Sequence, residues 1–405
     1  MAEEQEVVVD VIKLSLAGLA NLLSVIFVYG QNVKPDSIPY ESRRLKLEEV
    51  NFVSSYYTQN GNHSAVTGGI GSELLSDVSS ILEVRLIKPD NKNRLHLASL
   101  QLGVDAYTSA SSDKIDPATV SSASKSDKRI YPSVTYLIKN NIKRRSLGII
   151  GYFSTEYDYT SFSGGVNFTK ASEDNNKEFT FKFQAFFDKW LIILPIELRY
   201  NPEDQINNSN RNSYNASFIY SAIINKRTNF ALITDLALQN GLLSTPFHRV
   251  YFSNDEVRVE KLPDTRFKVP IGARLNYFLG DRIVLRTFYR FYYDTWNLWA
   301  NTFSIEAPVK ITPFLSLGPV YRFYTQTGID YFAPFKVHSP SDEFYTSDYD
   351  LSKFDSHLIG LNFRKISAEG ILGIKKLNVL EMRYSYYYRT TNLSAHTIAL
   401  SLKFK

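Results

Sequence analysis

The chain contains no cysteine among its 405 residues. This absence excludes a disulfide framework, thiolate metal sites and a lipid anchor attached to a cysteine. It is compatible with a chain that passes through an oxidising compartment, where free thiols are exposed to oxidation.

Long apolar runs are also missing beyond residue 30, and the mean hydropathy is −0.21. No transmembrane helix is therefore expected there, since a helix needs about 20 apolar residues to cross a bilayer. The net charge is only +5, from 46 basic and 41 acidic residues. A balance this even gives no reason to expect a nucleic-acid partner.

Aromatic residues are abundant instead, with 27 tyrosines and 27 phenylalanines. The last residues alternate, with the apolar set Ile398, Leu400, Leu402 and Phe404 on one face and small or polar residues between them. This pattern is typical of the closing strand of a transmembrane β-barrel, whose lipid-facing side is apolar. We predict that barrel assembly machinery reads Leu400, Leu402 and Phe404, although Lys405 follows the terminal aromatic residue.

From about residue 45 onward, segments of barrel-strand length alternate apolar and polar side chains, which is the period of a strand and not of a helix. We predict an all-β fold, a closed antiparallel transmembrane β-barrel over residues 45–405 with about 16 strands and a range of 14 to 18. The predicted strands are 45–58, 79–90, 94–111, 129–140, 146–159, 162–171, 177–192, 212–225, 228–242, 266–280, 282–295, 297–311, 314–328, 356–367, 376–390 and 393–405.

The links between these strands alternate in length. Every second link is short, while the others include long ones at 59–78, 112–128, 193–211, 243–265 and 329–355. Short periplasmic turns opposite long extracellular loops are characteristic of outer-membrane barrels. A soluble β-sandwich, the alternative fold, has no reason to separate its loops in this way.

The N-terminal region predicts export. Residues 14–29 form an apolar segment of signal-peptide length, preceded by an acidic stretch where a basic one is usual. We therefore expect a signal peptide at 1–30, cleaved on export, with the true start near Val11, and a periplasmic lead-in at 31–44. An uncleaved membrane anchor is the alternative.

Strand parity separates the two faces of the wall. In strand 282–295, Arg282, Arg286, Arg290 and Asp294 share one face, which must be the lumen because a charge facing lipid costs a few kcal/mol. The same parity places charges of both signs inside, and these could simply solvate and brace the wall. As a functional alternative we predict an electrostatic pore constriction formed by Arg274, Arg286, Arg290, Arg322, Glu306 and Arg383, with the basic stripe favouring anionic solutes.

Metal, cofactor and catalytic sites are not expected. The six histidines show no metal-ligand spacing, and the acidic residues of loop 329–355 match no calcium-binding pattern. Asn392, Ser394 and His396 share the outward face, where a barrel lipase would place its catalytic set. Side chains two residues apart on a strand are about 7 Å apart, so a polar turn beside an interfacial histidine is the favoured interpretation.

Several longer stretches carry a family resemblance. They are 40–56 (YESRRLKLEEVNFVSSY), 66–71 (VTGGIG), 107–117 (YTSASSDKIDP), 246–252 (PFHRVYF), 262–268 (LPDTRFK) and 345–353 (YTSDYDLSK). Together they resemble a domain-of-unknown-function family of Bacteroidota outer-membrane proteins, over essentially the whole chain after the signal. The resemblance implies a Gram-negative outer membrane as the location but no established activity. It also implies a possible small lipoprotein partner, among neighbouring envelope redox proteins, and loops that are folded.

We therefore expect an outer-membrane barrel that acts as a passive or gated pore for small polar, possibly anionic, solutes, and not an enzyme. Loops 243–265 and 329–355 are expected to narrow its mouth. The alternative is a non-conducting barrel that scaffolds a lipoprotein or a surface complex. Outer-membrane lipid and the barrel assembly machinery are the other expected partners.

Overall fold

The computed structural model describes residues 44–108, 126–194, 196 and 206–405. The predicted signal peptide and nearly all of the lead-in lie outside these residues, as do most of the loops predicted at 112–128 and 193–211. Within the described part of the chain, no helix is long and apolar enough to cross a membrane.

The described residues form nineteen strands, and seventeen of them belong to one continuous sheet. They are β1 (Lys46–Asn60), β2 (Leu75–Pro89), β3 (Arg94–Thr108), β4 (Ser126–Asn140), β5 (Arg145–Thr155), β6 (Tyr159–Ala171), β7 (Lys177–Ile193), β8 (Ile206–Asn225), β9 (Thr228–Gly241), β10 (Arg249–Tyr251), β11 (Val257–Val259), β12 (Thr265–Leu279), β13 (Ile283–Asp294), β14 (Trp299–Glu306), β15 (Val309–Thr312), β16 (Leu315–Gln326), β17 (Phe354–Ile366), β18 (Leu377–Arg389) and β19 (Leu393–Phe404).

The sheet closes on itself as a barrel. Each strand pairs antiparallel with its neighbours along the chain, β9 pairs with β12 across the β10–β11 hairpin, and β1 pairs with β19 over Val50–Asn60. Strands β14 and β15 are two parts of one span, so the wall has sixteen spans, as the sequence predicts. Closure leaves no unpaired strand edge along the wall, so the backbone hydrogen bonds are satisfied between strands.

The two rims of the barrel differ as predicted. One rim, the short-turn rim, carries the links 90–93, 141–144, 172–176, 226–227, 280–282, 313–314 and 367–376. Its tight turns use residues that tolerate a positive φ, such as Asn93 (54°), Asn175 (56°) and Gly280 (62°). The opposite rim, the long-loop rim, carries the long links 61–74, 242–264 and 327–353 and the short links 156–158, 295–298 and 390–392 among the described residues.

Several predicted strand boundaries need correction. The span predicted at 297–311 is interrupted at Ala307–Pro308, because proline has no N–H to donate to the ladder. Strands β2 and β8 begin earlier than predicted, at 75 and 206. Strand β5 ends at Thr155, so Glu156 and Asp158, which the sequence placed on a lumenal strand, lie in the tight link before β6.

The outer face of the wall is apolar and aromatic. Exposed side chains of the outward parity include Leu232, Phe267, Ile271 and Leu275, and Tyr384, Tyr386 and Tyr388 follow one another on β18. Tyr384 donates to or accepts from Nδ1 of His396 at 2.9 Å, and Tyr321 and His357 form a second such pair at the same distance. The outward tyrosines of β18 therefore lie together near the long-loop rim.

Candidate pore lining and mouth

The six residues predicted as a constriction all face the lumen, in the sector of the wall built by β12 to β18. Strand register places Arg274 beside Phe288, and Arg322 beside Ser304, in one row of paired residues. Arg290 lies one row nearer the long-loop rim, and Arg286 one row nearer the short-turn rim. The four arginines of the predicted basic stripe therefore occupy three adjacent rows of the same sector.

Two recesses open between these side chains. One, of about 270 Å³, is lined by Arg286, Glu306, Asn362, Arg364, Glu381 and Arg383 among others. The other, of about 470 Å³, is lined by Arg274, Asn276, Arg286, Phe288, Ser304 and Glu306 among others. Arg286 and Glu306 border both, so Arg274, Arg286, Glu306 and Arg383 lie along one continuous stretch of the lumen surface.

The acidic members of this sector are paired. Glu306 lies 3.4 Å from Nη1 of Arg286 and accepts a 3.0 Å hydrogen bond from Asn362. Glu381 lies between Arg364, at 2.7 Å, and Arg383, at 3.2 Å. Arg274, Arg290 and Arg322 are exposed to the lumen and, among the described residues, form no ion pair. In the middle of this sector, six lumenal arginines (Arg274, Arg286, Arg290, Arg322, Arg364 and Arg383) stand against two glutamates (Glu306 and Glu381), an excess of four positive charges.

Several lumenal acids elsewhere in the wall form contacts between strands. Acids on the opposite side accept hydrogen bonds across strands, as Glu83 does from Ser99 at 2.7 Å, Asp105 from Tyr131 at 2.8 Å and Asp188 from Arg211 at 2.9 Å. Asp235 accepts from Ser217, and Glu49 pairs with Lys403 and Arg85. Lys139, Lys182 and Lys268 form no ion pair in the part of the chain described. These lumenal acids are therefore engaged, while the three lysines are not in ion pairs among the described residues.

Three long loops form a folded cap on the long-loop rim. We use the name cap for residues 61–74, 242–264 and 327–353. The second of these contains the β10–β11 hairpin, and the third is joined to it by paired backbone bonds between Lys261 and Tyr345, of 3.1 and 2.7 Å. The expectation that these loops are folded is confirmed.

The first loop meets the other two at a pair of glycines. Gly68 and Gly69 have positive φ angles of 84° and 79°. A Cβ on Gly68 would lie 2.6 Å from the ring of Tyr251, and one on Gly69 would lie 2.6 Å from the backbone oxygen of Ser347. The two adjacent glycines of the VTGGIG stretch therefore allow three loops to approach closely, because a Cβ at either position would clash.

This meeting crosses the whole mouth. Loop 61–74 joins the first and second spans, and loop 242–264 joins the ninth and tenth, which lie opposite in a barrel of sixteen. Sixteen strands about 4.8 Å apart and tilted by about 40° enclose a wall roughly 30 Å across. Because Val66 packs on Phe247 and His63 stacks on Tyr349 at 3.8 Å, the loops reach each other over the lumen.

Inward-facing side chains of the wall hold the cap in place. Gln326 on β16 donates hydrogen bonds to the backbone oxygens of Asp350, at 2.9 Å, and Ser352, at 2.5 Å. Arg389 on β18, only 3% exposed, pairs with Asp350, lies 3.9 Å from Glu73 and stacks on Phe354. The sequence placed Arg389 on the lumenal face; the structure shows it buried under the cap.

Three ionisable groups converge inside the cap. Nδ1 of His248 lies 3.6 Å from Oε1 of Glu260 and 3.9 Å from Oδ2 of Asp348. Burial opposes the imidazolium form, but the two carboxylates outweigh it and raise the pKa of His248. Burial also raises the pKa of Asp348, while hydrogen bonds and His248 hold the pKa of Glu260 below its usual value. Sequence spacing could not have indicated this cluster, since its members are 12 and 88 positions apart.

Phe404 is buried at the short-turn rim. It lies on the outward face of β19, as predicted, but it is only 3% exposed. The link 367–376 folds back over it, so that Ile371, Leu377 and Val50 enclose the ring. The prediction that Phe404 faces lipid is therefore wrong, because this link covers it. Leu402 packs beside the same cluster, and Leu400 lies one outward position further along β19.

Comparisons with known proteins give a family and distant structural likenesses. A model of the family described as "Protein of unknown function (DUF3570)" matches residues 126–404, which begin at β4. Among curated proteins, none matches this chain.

Solved structures with similar arrangements include a bacterial polysaccharide outer membrane secretin, with 9% identity, a TM-score of 0.44, and 88% of this chain and 98% of that one covered. OccD3 (OpdP) from Pseudomonas aeruginosa is 8% identical, with a TM-score of 0.42, and the match covers 91% of this chain and 96% of that one. A BenF-like porin from Pseudomonas fluorescens Pf-5 is 10% identical, with a TM-score of 0.40, and the match covers 88% of this chain and 98% of that one. The barrel architecture is established by the closed strand pairing of the chain itself.

Proposed function

The chain belongs to the family described as "Protein of unknown function (DUF3570)", which states no activity, and we propose a function from its own geometry. We infer that it is a gated pore for small polar solutes, with a preference for anions, in the outer membrane of a Gram-negative, Bacteroidota-like bacterium. In this orientation the short-turn rim faces the periplasm and the cap faces outside.

The outer face of the wall supports the location. A band of apolar side chains bounded by tyrosines and histidines suits a bilayer core and its interface, where amphipathic rings are favoured. The same surface in water would be an unusually large exposed apolar patch. Outer-membrane lipid and the barrel assembly machinery follow as partners in this proposal, and export by a cleaved signal peptide remains part of it.

The observation that most supports a pore is the set of unpaired basic side chains in the lumen. Arg274, Arg290 and Arg322 hold exposed guanidinium groups inside a closed wall. Because these groups are unpaired among the described residues, they do not stabilise the wall through salt bridges. Fixed positive charges on a lumen raise the local concentration of anions and hinder cations. The cap that crosses the mouth accounts for gating.

The first test is conductance of the purified full chain in planar lipid bilayers. We expect discrete steps and, under a salt gradient, a reversal potential that shows anion preference. The triple change of Arg274, Arg290 and Arg322 to Gln should remove most of this preference while leaving the barrel folded. Arg227→Gln, in the short turn between β8 and β9, is the matched control and should leave selectivity unchanged.

A closed cap could silence the wild type, so a variant with residues 63–72 replaced by two glycines is measured beside it. If both proteins are folded and both are silent, the pore is overturned. The non-conducting scaffold for a lipoprotein or surface complex is then the function to pursue. Equal selectivity in the wild type and the triple variant would remove the anion preference alone.

A further inference from the structure

The cluster of His248, Glu260 and Asp348 lies in the cap, away from the lumenal sector assigned to conduction. Glu260 and His248 come from loop 242–264, on either side of the β10–β11 hairpin, and Asp348 comes from loop 327–353. One ligand atom from each residue lies within 4.8 Å of the other two. The cluster therefore joins two loops at a single point.

The distances between these atoms do not fit hydrogen bonds. At 3.6 and 3.9 Å from the carboxylate oxygens, Nδ1 of His248 is buried and has no hydrogen-bond partner in the described residues. Ligand atoms about 2.1 Å from a tetrahedral metal ion stand roughly 3.4 Å from one another. The observed spacings are close to that arrangement. Asp348 is the most exposed of the three.

Both carboxylates are already oriented. Glu260 has a side chain only 2% exposed, and it accepts hydrogen bonds from Thr346 Oγ1 at 2.5 Å and from the Thr245 N–H at 2.6 Å. Asp348 uses Oδ1 to accept the N–H of Asp350 at 2.9 Å, which leaves Oδ2 towards His248. Supporting hydrogen bonds of this kind fix the ligands of protein metal sites.

Charge also favours a cation here. Two carboxylates face one imidazole, so even a protonated His248 leaves a negative charge in a largely buried place, which is costly. One nitrogen and two oxygen ligands suit a divalent transition-metal ion, whereas calcium takes six to eight oxygens. We propose that His248 Nδ1, Glu260 and Asp348 bind a divalent transition-metal ion of the zinc type, which clamps the two loops of the cap together.

The test uses the full chain in detergent, stripped with a chelator and then titrated with Zn²⁺ by calorimetry and with Co²⁺ by visible absorption. We expect one ion per chain, and about 10–100-fold weaker binding or complete loss in Asp348→Asn and His248→Gln. Folding of each variant is checked by circular dichroism. If His248→Gln does not fold, Asp348→Asn suffices, since Asp348 lies at the edge of the cluster.

Asp342→Asn is the matched control. His338 and Asp342 form a second histidine and carboxylate pair in the same loop, at 3.1 Å, but no third carboxylate joins them in the described residues. Zn²⁺ binding should be unchanged in this variant. Zn²⁺ should also slow proteolysis of loop 327–353 in the wild type and not in Asp348→Asn.

The proposal is overturned if the stripped protein binds no Zn²⁺ or Co²⁺, or if Asp348→Asn and His248→Gln bind as tightly as the wild type. Calcium serves as a comparison ion, and a preference for it would contradict the ligand chemistry. These outcomes are independent of conduction, since a silent bilayer with intact Zn²⁺ binding would remove the pore and leave the clamp.

Discussion

The two rims of this barrel are closed by different kinds of interaction. At the short-turn rim, links of a few residues follow local turn chemistry, and one longer link packs Ile371 on Phe404 in an apolar cluster. At the long-loop rim, residues far apart in the chain meet through apolar clusters and also through buried charged groups such as Arg389 and Glu260. Because its charged groups are buried, the second rim is expected to respond more strongly to protons and ions than the first.

The difference also separates permanent from adjustable structure. Apolar packing around Phe404 seals the seam between the first and last spans, and opening it would break the barrel. The cap is joined to the wall by side chains such as Gln326 and Arg389 and by apolar packing of Leu262 and Ile329 against Trp296. These contacts are not part of the strand pairing, so the cap can loosen without breaking the wall. A pore that must hold its wall and open its mouth needs this division.

The largest effect is expected from Phe404→Ala at the short-turn rim. Removing a buried aromatic ring costs about 3–5 kcal/mol, and loss of the terminal aromatic residue should also reduce membrane insertion. Deletion of Lys405 should affect neither. The measurements are the yield of folded barrel in membranes and its unfolding temperature.

Ile371→Ala separates the two roles of Phe404. It removes a contact of the same apolar cluster, at a cost of about 2–5 kcal/mol, without changing the last strand. We expect lower stability with normal insertion. If insertion falls equally in Phe404→Ala, Ile371→Ala and the Lys405 deletion, the closing strand is not read as we predict.

A smaller and local effect is expected from Arg389→Met at the long-loop rim. This change leaves the carboxylates of Glu73 and Asp350 without their cation. Breaking a fully buried pair costs about 3–5 kcal/mol, and about 2 kcal/mol of cap stability is expected here because Asp350 is largely exposed. Protease should cut loops 61–74 and 327–353 faster, while the unfolding temperature of the barrel stays the same.

Arg383→Met is the control for this prediction. Arg383 is on the same strand and the same lumenal face, three rows from Arg389, but it is exposed and contacts no cap residue among those described. Its replacement should leave cap proteolysis unchanged. Equal cleavage of the wild type and Arg389→Met would show that the cap does not depend on this anchor.

The sequence was sufficient for the wall because strand periodicity is local. Alternation along β13 and β18 placed Arg286, Arg290 and Arg383 in the lumen, and the link lengths predicted the two rims and an even number of spans. The break at Pro308 could have been read from the missing N–H of proline. What the lumenal residues do stays a prediction, since position alone does not establish a constriction.

The cap and the covered Phe404 could not be predicted in the same way. Parity gave the correct face for Phe404 and Arg389, but their burial depends on links that return from elsewhere in the chain. The approach of His248 to Asp348 depends on two loops folding together, and no spacing in the sequence records it. The only local signal in the sequence was the pair Gly68-Gly69. The structure explains this pair by the close contact between loops across the mouth.

The most direct test of an ion-sensitive rim is the pH dependence of cap stability. Burial and the neighbouring Asp350 raise the pKa of Glu73 from 4.5 to about 7, against the opposing effect of Arg389. An acid with a raised pKa binds more protons in the folded state, so stability falls as pH rises from about 4.5 to about 7 and then levels off. In chelator-containing buffer, protease protection of loop 61–74 should therefore be greater at about pH 5 than at about pH 8.

Glu73→Gln should make this slope shallower, and Glu343→Gln, on the exposed side of loop 327–353, should not. A slope unchanged by Glu73→Gln would mean that Glu73 does not set the proton sensitivity of the cap.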